Sequence, residues 1–131
     1  MLQRLLTLAA VVECLAGVAF ALVPGGMVLL LLGLEPGVAA IAIARVAGVA
    51  LIALGIPCWG ARQNAGGAAR SATTAITFYN AVVGLLLTGF AVTGLAHGIF
   101  IWIAAIFHLI LSLAFAAALL LGDPHAKTGP S

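Results

Sequence analysis

Four apolar runs of about 20 residues each dominate the sequence, and that is the length a helix needs to cross roughly 30 Å of hydrocarbon. They fall at about 5–23, 38–59, 72–95 and 99–121. The breaks between them are Pro24-Gly25-Gly26, Glu35-Pro36-Gly37, the stretch 60–71 and His97-Gly98. Composition closes off the soluble alternative. The chain of 131 residues is 65% apolar and 6% charged, and a domain this small cannot hide so much apolar surface from water with so few charges to cover the rest. The sequence therefore predicts an all-α fold, an integral membrane four-helix bundle running up-down-up-down as a single transmembrane domain. Segment 27–34 is apolar but too short to cross, and is expected to lie at the interface as a short helix or re-entrant turn. Residues 122–131 read as a polar tail.

The positive residues set an orientation. Arg4 precedes the first run, Arg62 and Arg70 lie between the second and third, and Lys127 follows the fourth, whereas the other two connections carry only Glu35 and His97. Because Lys and Arg are retained on the cytoplasmic side, both termini and the middle loop are expected there, in a bacterial-type inner membrane. A secretory signal is the competing reading of the start, with Ala19-Phe20-Ala21 resembling a cleavage site. Glu13 interrupts the apolar core such a signal would need.

Some partners are excluded or disfavoured. A net charge of +2 with no Lys/Arg cluster offers no footprint for nucleic acid. Cys14 and Cys58 form no CxxC pair and read as small buried apolar residues. The lipid bilayer is the expected partner, with other membrane subunits or further copies of the chain left open.

Each run holds one strongly polar residue near its middle: Glu13, Arg45, Asn80 and His108. At about 1.5 Å of rise per residue these four fall in one central band, and ionisable groups at that depth turn inward and seek partners. Counting by helical steps from each gives small or hydroxylated neighbours, among them Gly17, Gly48, Gly55, Thr77, Gly84 and Ser112, which let helix backbones approach closely. The sequence thus predicts a buried Glu13–Arg45 ion pair completed by Asn80 and His108, with Thr77, Tyr79 and Ser112 in support. One reading makes this network a register device, since buried pairs seldom add net stability. The other makes it a site that binds or conducts something.

Several chemistries can be weighed against that cluster. A proton-linked transporter or channel would use Glu13, which in the first of four helices looks superficially like the small multidrug-resistance transporters, but Arg45 would compete with a cation and aromatic lining is sparse. Haem would need two axial ligands at one depth, and His97 and His108 are three turns, about 16 Å, apart on one helix. Metal ligation has only one carboxylate and one histidine in the band, so no metal or other cofactor is predicted. A quinone or lipid head could accept hydrogen bonds from His108, Tyr79 and Arg45. There is no GxSxG, P-loop or acid–base dyad to suggest an autonomous enzyme or to supply catalytic residues.

The run from Ile43 to Gly55 with Arg45 and Gly48 inside it, the Phe78-Tyr79-Asn80 step, the isolated His108, the single early glutamate and the Pro24 to Gly33 segment together resemble the DoxX-like group of small bacterial four-helix membrane proteins. The resemblance spans nearly the whole chain. It implies an inner-membrane bundle, in some members associated with redox or quinone-linked partners, and supplies no catalytic residues. The expected function is an accessory or scaffold subunit, or a binder of a lipid- or quinone-like ligand; the alternative is the proton-linked transporter.

Overall fold

The structure, a computed structural model, describes residues 1–63 and 66–121. The expected polar tail at 122–131 and Lys127 lie outside the described residues. Five helices follow one another: α1 (Leu2–Leu22), α2 (Pro24–Leu32), α3 (Val38–Ala61), α4 (Gly67–Thr93) and α5 (Ile101–Leu121). Four of them, α1, α3, α4 and α5, are long and apolar enough to cross a membrane. The chain is an all-α, multi-pass membrane bundle, with α2 as a short fifth helix. The expected break at 60–71 is narrower in the structure, because α3 runs on to Ala61 and α4 starts at Gly67. Ala68, Ala69 and Arg70 are good helix formers, and their polar neighbours sit at a helix end where water or headgroups can reach them.

The bundle is built as two antiparallel pairs, α1 on α3 and α4 on α5, which touch each other far more lightly than their members do. Lipid removes the hydrophobic drive between helices, so close packing has to hold each pair. In the first pair Gly17 meets Gly48. A Cβ on Gly17 would come within 2.6 Å of the Gly48 carbonyl, and one on Gly48 within 2.6 Å of the Ala21 nitrogen. Lower down, a Cβ on Gly55 would lie 2.7 Å from Cys14 Sγ. In the second pair, Gly84 packs under Leu109, and Ser112 Oγ donates to the Thr77 carbonyl at 3.2 Å. Thr73, Thr77 and Thr88 donate their hydroxyls back to carbonyls four residues earlier on α4. Their polar atoms are thereby satisfied without water.

The pairs join at their two ends. At the end that carries Met1, buried Leu6, Ala10, Cys58, Ile76, Leu111 and Phe115 form one core. At the other end Leu87, Ala96, Ile101 and Ala105 form a second, smaller core against Leu31 and Leu32 of α2. There α2 is tied to the connection between α4 and α5. Gly33 closes α2 in the left-handed conformation (φ 72°) that favours glycine. His97 N–H donates to Leu32 O at 2.9 Å and Phe100 N–H to Leu30 O at 3.1 Å, so two of the carbonyls that a helix end leaves open are met by a distant loop. Gly98 lies directly against the Leu30 and Leu31 carbonyls, where a side chain has no room.

Candidate functional site: an apolar cavity between the helix pairs

Between the two cores the pairs do not close on each other. A cavity of about 840 Å³ remains, walled by all five helices. Among the described residues nineteen line it, and of these only Glu13, Tyr79 and His108 are polar. The rest are aliphatic or aromatic: α1 brings Val12 and Phe20, α2 brings Met27, Leu30 and Leu31, α3 brings Leu51 and Leu54, and α4 and α5 with the loop between them bring Val83, Phe100 and Phe107. Size and lining match sites for small amphiphilic ligands, which run from about 300 to 1,000 Å³ with a few placed polar groups.

Helical phase places the polar members. Val12, Glu13, Ala16 and Phe20 share one face of α1, adjacent to the Gly17 face that packs on α3. Glu13 is only 2% exposed, and its Oε1 has no hydrogen-bond partner among the described residues. A buried carboxyl oxygen without a partner is costly. On α4, Asn80 is fully buried behind the cavity wall. Its Nδ2 donates to the Ile76 carbonyl at 2.8 Å, and its Oδ1 stands 2.7 Å from His108 Nδ1. Tyr79 and Phe107 meet the His108 ring edge-on, with centroids 5.8 and 5.9 Å away. The imidazole is therefore held by one hydrogen bond and two rings.

The structure divides the residues singled out in the sequence. It brings Glu13, Tyr79 and His108 to one cavity and bonds Asn80 to His108. Thr77 and Ser112 knit α4 to α5 away from the cavity wall. Arg45 is elsewhere. It is exposed on α3, and no ion pair joins it to Glu13 among the described residues. The expected pair fails for a reason of phase: Arg45 and the cavity-lining Leu54 are nine residues apart, two and a half turns, and so lie on opposite sides of α3. The buried neighbour in this stretch is Ala44, one residue before. Arg45 lies seven residues into α3, about 10 Å of rise from its start, from where an arginine can extend its head toward the interface.

Sequence reasoning missed the cavity itself. It also read the aromatic lining as sparse, whereas Phe20, Tyr79, Phe100 and Phe107 converge from three helices and a loop. The fencing of 27–34 by Pro-Gly on both sides was the one signal that this segment has a defined place, here as a wall at one end of the cavity. No group of three His, Cys, Asp or Glu side chains among the described residues is placed to hold a metal ion. No protein-family model, curated protein or solved structure matches the chain.

Proposed function

We propose that the chain binds an amphiphilic, lipid- or quinone-like molecule in the cavity between its helix pairs and acts as a ligand-carrying accessory subunit of a bacterial-type inner membrane. One observation carries this reading: an apolar cavity of about 840 Å³ in whose wall Tyr79 and His108, the latter bonded to Asn80, are set among apolar side chains. An apolar tail would fill the walls contributed by α2, α3 and α5, and a polar head would meet Tyr79 and His108. The orientation with both termini cytoplasmic belongs to the same proposal and rests on Arg4, Arg62 and Arg70. The guanidinium of Arg62 lies 3.5 Å from the Trp59 ring centroid and bonds the Trp59 carbonyl, as an anchor at either interface would. Kinship with the DoxX-like group rests on the residue pattern alone and agrees with this role, as would partner subunits or a homo-oligomer.

Proton-linked transport through Glu13 is the second reading. It is favoured by the absence, among the described residues, of a counter-charge beside that carboxyl, since Arg45 does not compete. The cavity's sixteen apolar lining residues speak against a water-filled route. The test is extraction of the protein from its own membrane in lipid nanodiscs, followed by mass spectrometry of the molecules released. Binding predicts an amphiphile enriched over bulk lipid in the wild type and depleted in Ala16→Phe, which blocks the cavity. Equal lipid profiles for the two proteins would overturn the reading, and a Glu13-dependent proton flux in sealed vesicles would replace it with transport.

A further inference from the structure

The hydrogen-bond network behind the cavity wall determines what kind of head group the cavity can take. Asn80 Nδ2 donates to the Ile76 carbonyl, an acceptor only, which fixes the orientation of the amide. Its Oδ1 must therefore be the atom facing His108 Nδ1 at 2.7 Å, and that oxygen can only accept. The proton of this bond sits on Nδ1. A cationic ring would stand in an apolar wall with no carboxylate bonded to it among the described residues, which a low-dielectric setting penalises. The ring is neutral, and its Nε2 carries a lone pair with no partner among the described residues.

Glu13 does not add a second position. Its Oε1 has no partner among the described residues, but the atom has almost no accessible surface, so a ligand in the cavity does not reach it. The cavity thus presents one open acceptor, His108 Nε2, beside the Tyr79 hydroxyl, which can donate or accept, in an otherwise apolar wall.

We infer that the ligand's head is a hydrogen-bond donor: a hydroxyl on an apolar alcohol or phenol, received by His108 Nε2. This rests on the cavity being a binding site and names its ligand class. An ether of the same shape has no proton to give and would set acceptor against acceptor at Nε2. Leaving a buried polar group unpaired in that way weakens binding by about tenfold to a hundredfold.

The experiment compares 4-octylphenol with 4-octylanisole, its methyl ether, binding to the full chain in nanodiscs by calorimetry, alongside nitrogen-15 spectra of the His108 ring in the unliganded protein. The expected result is a phenol that binds at least about tenfold more tightly than the ether, a gap that shrinks in His108→Phe, and a ring protonated on Nδ1. Equal affinity for the two probes overturns the donor-head inference and leaves the binding site standing. Failure of both probes to bind overturns the binding site and this inference together. A ring protonated on Nε2, or on both nitrogens, overturns the inference without any ligand, so the test does not depend on His108→Phe folding.

Discussion

Glu13 and Arg45 are opposite charges in the same central band, yet they behave as unrelated residues. Glu13 is buried in the wall of the cavity with an unmet oxygen, while Arg45 stands exposed on the far side of α3. In a double-mutant cycle, Glu13→Gln and Arg45→Leu should therefore add to within about 0.5 kcal/mol, as distant sites without shared partners do. Unfolding of the four proteins in one detergent measures this, and a coupling well above that figure would mean that the two side chains meet. The contrasting pair is Asn80 and His108, joined at 2.7 Å. The cycle of Asn80→Leu and His108→Phe should show a favourable coupling of about 0.6 kcal/mol, the average for interhelical polar contacts in a membrane. It should be lost when either partner is already absent.

At the scale of elements, backbone proximity matters more than side-chain chemistry. α1 and α3 meet where Gly17 and Gly48 leave each helix bare, and no rotamer relieves a Cβ placed against the opposing backbone. Gly48→Val should destabilise the bundle by about 1–3 kcal/mol, the range for overpacking a tight contact, read as a lowered midpoint of thermal unfolding. Gly89→Val is the control, since a Cβ there meets nothing within 4 Å, and it should change stability much less. α2 is a different sort of element. Nine residues are too few for an independent helix in water, and its carbonyls at Leu30 and Leu32 are held by backbone donors from beyond α4. Its position depends on the connection between α4 and α5 at least as much as on its own sequence.

For the whole molecule, the decisive feature is that each helix pair is tightly packed while the two pairs meet only at their ends. A ligand that fills the space between them touches both pairs at once and binds the folded state alone. At a hundredfold excess over its dissociation constant, a cavity ligand should raise stability by about 2.7 kcal/mol. Thermal unfolding of the wild type with 4-octylphenol should show this increase. Ala16→Phe, with its larger side chain projecting into the cavity, should show little of it. An equal increase in both proteins would place the probe elsewhere.

What the sequence determined by itself is the membrane fold: run length, composition and the four breaks demand long apolar helices, because lipid admits only helices or closed barrels and continuous apolar runs of about 20 residues fit a helical span. It also marked Glu13, Asn80 and His108 as residues that must turn inward, since their burial cost is a property of the side chain. Which of them meet was decided only by the tertiary structure. A step of one residue turns a helix by about 100°, enough to bury Ala44 and leave Arg45 outside, and periodicity read from a stripe of small residues does not resolve that step. The cavity is less legible still, because it is the space left where two well-packed pairs fail to touch, and its walls are made of the same Leu, Val and Phe that elsewhere face lipid.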